Sequence, residues 1–177
     1  MKDHCCDILG ILMHAYADQC QLKQPASNFN ADQYFSISLA YVTHSKTGQP
    51  GNVCRKYQLQ KNGNGTSVTV ASPDGGTPPG PTVTCTNTPK GGSNGQFSIE
   101  CSISDGTTYT LTSSVLATDN QNYAVLQRCD SELEKRIFWV IANRINNGVN
   151  PQVTKVLFKK QKWDINSWTS RGKRLVC

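Results

Sequence analysis

The sequence predicts an all-β protein: an eight-stranded, up-and-down antiparallel barrel with a helix after its last strand. Only 17% of the residues are charged, and Gly, Pro, Asn and Ser recur at short intervals. The segments between these turns alternate apolar and polar residues with a period of two. Closing eight short strands into a barrel removes the exposed edges of an open sheet. A chain of 177 residues has room for one such domain.

Eight segments carry the strand pattern. The clearest hairpin joins the second and third across Asn62-Gly63-Asn64-Gly65, because Asn and Gly tolerate positive φ. The predicted strands are residues 35–44, 54–61, 66–72, 82–88, 96–103, 107–117, 123–129 and 136–142. A helix follows, with Asn150 as N-cap and Pro151 at its first position, and we expect it to pack on the barrel wall.

The first 17 residues have the pattern of a secretory signal peptide. Lys2 precedes an apolar stretch, which ends at Ala15-Tyr16-Ala17, the small-x-small pattern that signal peptidase accepts. We therefore expect export and a mature domain of residues 18–177. No later stretch reaches the roughly 18 apolar residues of a membrane span, so we expect none.

Six cysteines follow residue 17, and an even number behind an export signal predicts three disulfides. They are Cys20, Cys54, Cys85, Cys101, Cys129 and Cys177, and none has the spacing of a zinc site. In a hairpin centred near residue 93, Cys85 and Cys101 lie directly opposite each other, within the reach of a disulfide. Geometry predicts this pair and leaves the other two open.

Catalytic motifs are lacking in the sequence. His44 is the only histidine after residue 17, and no Walker loop, HExxH or paired-carboxylate motif occurs. We therefore expect a binding protein rather than an enzyme. Removing Lys2, Asp3 and Asp7 from a chain of formal charge +6 leaves +7, which favours anionic partners. Nucleic acid is not expected, because no basic stripe is interleaved with aromatic residues.

Residues 28–35 and the run Tyr41-Val42-Thr43-His44 closely resemble the salivary lipocalins of blood-feeding triatomine bugs, the group of triabin, pallidipin and the nitrophorins. The cysteine spacing, residues 123–129 and residues 140–144 extend the likeness over nearly the whole chain after residue 17. The resemblance implies a lipocalin barrel secreted in saliva, and we expect a monomer. It also implies the disulfides Cys20–Cys129 and Cys54–Cys177.

The chain departs from this family at the floor of the barrel. Ile37 and Ala40 stand where the family usually has Gly and Trp. Arg144 ordinarily lies against that Trp ring, so its stacking partner must differ here. Either a neighbouring ring fills the space, with Phe138 and Trp139 as candidates, or the cavity is deeper.

The resemblance implies capture of a small hydrophobic or anionic host mediator, and hence inhibition of platelet aggregation. An eicosanoid such as thromboxane and an adenine nucleotide are the candidates. One alternative is triabin-like inhibition of a host coagulation protease through the outer surface. Another is capture of a biogenic amine, which requires acidic groups at the barrel mouth. Strand alternation places the candidate ligand-binding residues on the inner wall: Val42, His44, Tyr109, Leu111 and Val115.

Three further features bear on partners. Nitrophorins hold haem through a histidine in the region after the second strand, but residues 54–81 contain none, so we expect no cofactor and no metal. Asn64-Gly65-Thr66 is an N-glycosylation sequon at a hairpin tip. A basic cluster near the carboxyl end offers an anion-binding surface or a solvated face. Its members are Lys159, Lys160, Lys162, Arg171, Lys173 and Arg174.

Overall fold

The computed structural model describes residues 20–46, 53–74, 80–130, 155 and 158–171, and the backbone of residues 135–142. These residues form one antiparallel sheet and a few short helices. The elements are α1 (Ala31–Tyr34), β1 (Leu39–Ser45), β2 (Arg55–Lys61), β3 (Ser67–Pro73), β4 (Val83–Pro89), β5 (Gln96–Ile103), β6 (Thr108–Thr118), β7 (Tyr123–Asp130), β8 (Lys135–Ala142), a 3-10 helix (Ile165–Ser167) and β9 (Thr169–Ser170).

The first strand closes the sheet into a barrel. β2 to β8 pair in chain order, and β1 pairs with β2 through Leu39 to Tyr41 and with β8 through Tyr41 to Ser45. Every strand from β1 to β8 therefore has two neighbours, which confirms the predicted eight-stranded barrel. β9 adds a short pairing to β1 at His44 and Ser45.

Helix α1 lies at one end of the barrel, where the sequence pattern predicts the start of the first strand. Asn30 caps the helix, and its side chain accepts a hydrogen bond from the backbone N–H of Gln33 at 3.1 Å. The strand consequently begins at Leu39 rather than at residue 35. The capping side chain competes with an extended backbone, which is why Asn favours helix starts over strand interiors.

Three hairpins meet the amino-terminal segment at this end of the barrel. After β2, Lys61 forms an ion pair with Asp32. Between β4 and β5, Asn94 Nδ2 donates to the Phe29 carbonyl at 3.0 Å. Between β6 and β7, Asn120 accepts from the Asn30 N–H at 3.0 Å. Because these hairpins share one end, we call it the closed end, and the strands run from it to the mouth.

Two disulfides join described residues. Cys85 and Cys101 are paired across β4 and β5 in direct register, with their Cα atoms 4.0 Å apart. Cys20 and Cys129 join the amino-terminal segment to β7 over a separation of 109 residues. Both predictions are confirmed. Cys54 is disulfide-bonded, and Cys177, its predicted partner, lies outside the described residues.

The outer face of β6 and β7 is covered by an aromatic cluster from the carboxyl-terminal part of the chain. Phe158, Trp163 and Trp168 have ring centroids 5.0–5.6 Å apart, and they pack with Tyr123 and Val125. Lys155 and residues 158–161 are helical, so the helix packs on the barrel wall as predicted. Its predicted cap at Asn150 and Pro151 lies outside the described residues. Among the helices described, none is long and apolar enough to cross a membrane.

One carboxylate organises the turn between β6 and β7. Asp119 accepts hydrogen bonds from the backbone N–H groups of Gln121, Asn122 and Tyr123 at 2.7–3.2 Å. The Asn122 side chain donates to it at 2.9 Å. Burial alone would raise the pKa of Asp119, but these hydrogen bonds outweigh burial and hold it below its ordinary value. The charged carboxylate therefore stabilises the turn that carries Asn120.

The third disulfide gives a direct test of the fold. We predict that peptide mapping of the unreduced protein recovers a peptide linking Cys54 to Cys177. The other two linked peptides serve as internal controls in the same digest. A free thiol at Cys177, or Cys54 joined to another cysteine, would contradict this prediction.

The turn at Asp119 makes stability depend on pH. A carboxyl group whose pKa is lowered by folding stabilises the folded state above its unfolded pKa of about 3.9. This contribution disappears as the pH falls through the folded pKa. We expect Asp119→Asn to lower the free energy of unfolding by about 1 kcal/mol at pH 7, and the difference from wild type to shrink below about pH 4.

Urea unfolding at several pH values measures this difference. Asp32→Asn is the matched control, because its exposed ion pair with Lys61 contributes little to stability. A constant difference between wild type and Asp119→Asn from pH 7 to pH 3 would exclude a role for the charge.

Candidate functional site

The candidate site is the lumen of the barrel. The described side chains nearly fill its deeper half, where a cavity of about 30 Å³ remains. Ligand sites for drug-sized molecules usually enclose about 300 to 1,000 Å³. The cavity is lined by Tyr34, Phe35, Tyr57, Leu59, Thr69, Asn87, Phe97, Ile99, Ser113, Val115, Leu126 and Arg128. A small molecule that occupies this deep part of the lumen therefore requires some of these side chains to move.

Aromatic rings close the lumen at the closed end. Phe29, Tyr34, Phe35 and Phe97 stack on one another, with ring centroids 4.9–5.9 Å apart. Helix α1 supplies Tyr34, the residue after the helix supplies Phe35, and β5 supplies Phe97. Edge-to-face packing of this kind adds to the stability that burial provides.

Ala40 is buried and lies directly opposite Tyr57 in the pairing of β1 with β2. Tyr57 is also buried, and its side chain lines the cavity. Side chains opposed in this way on one face are about 5 Å apart at Cβ, so the small Ala40 leaves room for the Tyr57 ring. The alternative of a deeper cavity stays a prediction. Phe138, Trp139 and Arg144 cannot be compared, because their side chains lie outside the described residues.

One arginine enters the lumen from β7. Arg128 is opposite Ser113 of β6, on the same face as Leu126, and all three line the cavity. Its guanidinium carbon lies 5.5 Å from the centroid of the Tyr57 ring, a distance typical of a cation–π contact.

The positive charge of Arg128 affects the pKa values of two tyrosines, Tyr34 and Tyr109. Burial raises the pKa of Tyr34, and the charge of Arg128 opposes that rise. Nearer the mouth, burial raises the pKa of Tyr109, while Arg128 and then Arg55 oppose it and Tyr57 and Asp130 add to it. With their pKa values raised, Tyr34 and Tyr109 keep their protons at physiological pH. They present neutral hydroxyl groups beside a fixed positive charge.

The residues predicted to line the cavity are only partly brought together. Val115 lines the cavity. Val42 and Leu111 are buried in the same core, and Tyr109 packs against it. The inner wall therefore contains four of the five, although whether they bind a ligand stays a prediction.

His44 does not lie on the inner wall. The pairing of β1 with β8 has a bulge between Val42 and His44, because Val42 is opposite residue 141 and His44 is opposite residue 140. One extra residue on β1 reverses the alternation, so the expected inward orientation of His44 is wrong. His44 instead pairs with Ser170 of β9, and its Nδ1 lies 3.0 Å from Thr43 Oγ1.

Sequence analysis missed Arg128 and Tyr57, the pair at the centre of the lumen. The signal was present: Arg128 follows Ala124 and Leu126 at two-residue intervals, and β7 pairs with β8 without interruption. Period-two alternation places all three on one face. An arginine on the apolar face of a strand was the feature to single out.

The structure also shows where two residues of the predicted surface features lie. Asn64 is exposed, and its Oδ1 accepts from Thr66 Oγ1 at 2.7 Å and from the Thr66 N–H at 3.2 Å. Its glycosylation stays a prediction. In the basic cluster, Arg171 is buried, pairs with Asp74 and stacks 5.2 Å over Tyr41, so it is not an exposed cation.

The remaining members of the basic cluster divide into two groups. Lys159, Lys160 and Lys162 are exposed, while Lys173 and Arg174 lie outside the described residues. Among the residues described, no group of three His, Cys, Asp or Glu side chains is placed to hold a metal ion.

Comparison with known proteins identifies the family. The family model described as Triabin matches residues 13–156. The chain belongs to the triabin family. It is 43% identical to pallidipin of Meccus pallidipennis over 176 residues, covering 94% of this chain and 92% of pallidipin. It is 45% identical to the platelet inhibitor triplatin-2 of Triatoma infestans over 168 residues, covering 92% of each chain.

Solved structures show the same lipocalin fold as this triabin-family chain. The tryptamine complex of the amine-binding protein of Rhodnius prolixus superposes with a TM-score of 0.68, 22% identity, and coverage of 86% of this chain and 85% of that one. The leukotriene C4 complex of an LTBP1 mutant gives a TM-score of 0.64, 22% identity, and coverage of 84% and 90%. At these identities the likeness establishes the fold and not the ligand.

The packing at Ala40 can be tested by restoring the family's usual residue. We expect Ala40→Trp to lower the free energy of unfolding by about 3 kcal/mol, the upper end of the usual cost of overpacking. The indole would collide with Tyr57, which faces Ala40 across the strand pair.

Thr84→Trp, at an exposed position of β4, is the control for introducing a large ring into a strand. If urea unfolding of Ala40→Trp were the same as that of wild type, the conclusion that Tyr57 occupies the space beside Ala40 would be wrong.

Proposed function

We propose that this protein is a secreted binding protein that captures a small, partly apolar, anionic host mediator in its barrel and thereby inhibits platelet aggregation. An eicosanoid such as thromboxane is the first candidate, and an adenine nucleotide is the second. One observation carries the proposal: the lumen combines an apolar, aromatic wall with the inward-facing guanidinium of Arg128. Such a wall with a few convergent polar groups is typical of a ligand site.

The charges of the lumen favour an anion over an amine. Among the described residues that line the deep cavity, Arg128 is the only one with a charged side chain. Near Tyr109, the two positive charges of Arg55 and Arg128 face one negative charge, Asp130. A buried ammonium group needs a carboxylate partner, and the described part of the deep cavity provides none.

The relatives support the platelet as the target. Triplatin-2, 45% identical to this chain, carries the name of a platelet inhibitor. The solved neighbours are complexes with leukotriene C4 in one case and tryptamine in the other. Since the same fold binds an acid in one protein and an amine in another, the fold does not determine the ligand. We infer that the charge of the lumen determines which of the two classes binds.

The site of action is proposed to be extracellular. Residues 1–17 have the pattern of a signal peptide, and two disulfides join described residues, as expected for a protein of an oxidising compartment. Release in saliva, as the family resemblance implies, would bring the protein to circulating mediators. No catalytic step is proposed.

Calorimetry with four compounds tests the proposal: a stable thromboxane analogue, ADP, serotonin and noradrenaline. We expect at least one of the two anions to bind with a Kd in the nanomolar range, about −12 kcal/mol, and both amines to bind at least a hundredfold more weakly. Tight binding of an amine with no heat from either anion would overturn it.

Platelet assays connect binding with function. The protein should block aggregation started by the mediator that it binds, and an excess of that mediator should restore aggregation. Thrombin is the control partner: inhibition of thrombin that persists when the barrel is saturated with ligand would favour action through the outer surface instead.

A further inference from the structure

We propose that Asn64 is a site of spontaneous chemical modification, at which the side-chain amide is lost as ammonia through a cyclic imide formed with Gly65. The product is aspartate or isoaspartate at residue 64. The sequence has four Asn-Gly pairs, which begin at residues 62, 64, 94 and 147. Glycine after asparagine favours this reaction, because a residue without a Cβ leaves its backbone nitrogen unshielded and its backbone easy to rotate. The fourth pair lies outside the described residues, and the structure distinguishes the other three.

The reaction needs no enzyme, and water is its only co-reactant. Hydroxide removes the proton from the Gly65 backbone nitrogen, which then bonds to the Cγ atom of Asn64 and places a negative charge on Oδ1. The carbonyl forms again as the bond from Cγ to Nδ2 breaks, and Nδ2 takes up a proton from water and leaves as ammonia. Water then opens the imide. Cleavage at Cγ gives aspartate, and cleavage at the backbone carbonyl gives isoaspartate.

A chain of hydrogen bonds activates the amide of Asn64 for this attack. Thr66 donates to Asn64 Oδ1 from its Oγ1 at 2.7 Å and from its backbone N–H at 3.2 Å. Oδ1 is the atom on which negative charge develops, and donors that point at such an atom stabilise the transition state. Asn62 Nδ2 donates to Thr66 Oγ1 at 3.2 Å. This bond directs the hydroxyl proton towards Asn64 and strengthens the hydrogen bond to Oδ1.

The same chain gives Asn62 the opposite role. Its Nδ2, which would be the leaving atom, is the donor to Thr66 Oγ1. Its backbone N–H donates to the Thr66 carbonyl at 2.8 Å, and this bond closes the loop. Asn62 is half-buried, whereas Asn64 is exposed. Cyclisation at Asn62 disturbs two bonds that hold the hairpin together, so we expect it to be slower than cyclisation at Asn64.

The tip of the hairpin allows the rearrangement that the imide requires. Gly65 is exposed and has a φ of +81°, and no atom lies within 4 Å of the position that a Cβ would take. The same space is open at Gly63. Glycine in open surroundings changes its backbone dihedral angles at little cost. The nitrogen of Gly65 can therefore approach Asn64 Cγ by movement of the loop tip alone.

The pair at Asn94 has the same two residues in a fixed environment. Gly95 is buried, and a Cβ at this position would lie 3.0 Å from Pro25 Cβ and 3.2 Å from Phe29 Cγ. Its carbonyl accepts from the Val115 N–H at 2.9 Å, and Asn94 Nδ2 donates to the Phe29 carbonyl at 3.0 Å. Deamidation at Asn94 therefore requires local unfolding of the closed end.

Deamidation and glycosylation exclude each other at Asn64. The predicted glycan would be attached to Nδ2, the atom that deamidation removes. Aspartate at residue 64 also abolishes the sequon Asn64-Gly65-Thr66. The test therefore uses the mature protein produced without glycans.

The experiment incubates this folded protein at body temperature and mildly alkaline pH, and peptide mapping by mass spectrometry follows aspartate and isoaspartate at residues 62, 64 and 94. We expect Asn64 to react at least about tenfold faster than Asn94, because Asn94 reacts only in the small fraction of locally unfolded molecules. Asn62 should react more slowly than Asn64. The reduced chain in guanidinium chloride is the control, in which all three pairs should react at similar rates.

Four variants test the roles of the neighbours. Gly65→Ala should slow the reaction at Asn64 and leave Asn62 unchanged, and Gly63→Ala, the matched control, should do the reverse. Thr66→Val removes the hydroxyl donor and Thr66→Ser keeps it. We expect Asn64 to react about three- to tenfold more slowly in the valine variant than in the serine variant, the usual worth of one hydrogen bond.

Three results would show the proposal to be wrong. One is an equal rate at Asn64 and Asn94 in the folded protein, and another is a faster rate at Asn62 than at Asn64. The third is an unchanged rate at Asn64 in Gly65→Ala, since the amide would then be lost by direct hydrolysis and not through an imide. Equal rates in Thr66→Val and Thr66→Ser would contradict activation of the amide by the hydroxyl group.

Discussion

The pairing of β1 with strands on both of its edges determines the rest of the structure. Its first residues pair with β2 and its later residues with β8, and this double pairing converts a meander into a barrel with an inside and an outside. Side chains that alternate along each strand then face different environments. One set faces the lumen, and the other faces solvent or a covering segment. The bulge in β1 is part of this arrangement, because it changes the strand's twist where the contact passes from one neighbour to the other.

The chain ends depend on the outer face that this closure creates. Gln127 is fully buried on the outer face of β7, where it accepts from the Lys23 N–H at 2.7 Å and donates to the Gln21 carbonyl at 2.8 Å. It thus satisfies backbone groups of residues 21–23, which are not part of any described strand. The Cys20–Cys129 disulfide fixes the same segment two residues further along β7. At the other end of the chain, Arg171 donates its backbone N–H to the Thr43 carbonyl at 2.8 Å.

Local rules predicted most of the barrel from the sequence. The hairpin between Cys85 and Cys101 is an example, because an antiparallel register is fixed once its turn is located, and the turn residues were recognisable. His44 shows where such rules end. The bulge depends on the partner strand β8, which is about a hundred residues away in the sequence. No pattern within β1 predicts it. Helix α1 was missed for a related reason, since its cap is held by Asn120 from another hairpin.

The candidate site was less predictable than the fold, because its character comes from pairs of residues on different strands. Ala40 on its own indicates only a missing ring, and Tyr57 on its own indicates an ordinary core tyrosine. Their direct opposition explains both, and it leaves the Tyr57 ring where Arg128 can lie against it. Knowledge of the register was necessary to see that a small residue on β1 makes room for a cation–π pair between β2 and β7.

The small volume of the deep cavity has a consequence for affinity. A cavity of about 30 Å³ accommodates little more than a water molecule, so a ligand that reaches this depth has to bind a state in which the described side chains around it have opened. The observed affinity is then the intrinsic affinity multiplied by the fraction of open molecules, and every 1.4 kcal/mol of opening cost weakens binding about tenfold. A ligand overcomes this cost with apolar area, at about 25 cal/mol for each Å² removed from water, and with a charge that matches Arg128. Small polar solutes offer too little area, and apolar molecules without a charge gain nothing from the guanidinium. A nearly filled deep cavity with a half-buried arginine on its wall therefore favours ligands that combine both properties.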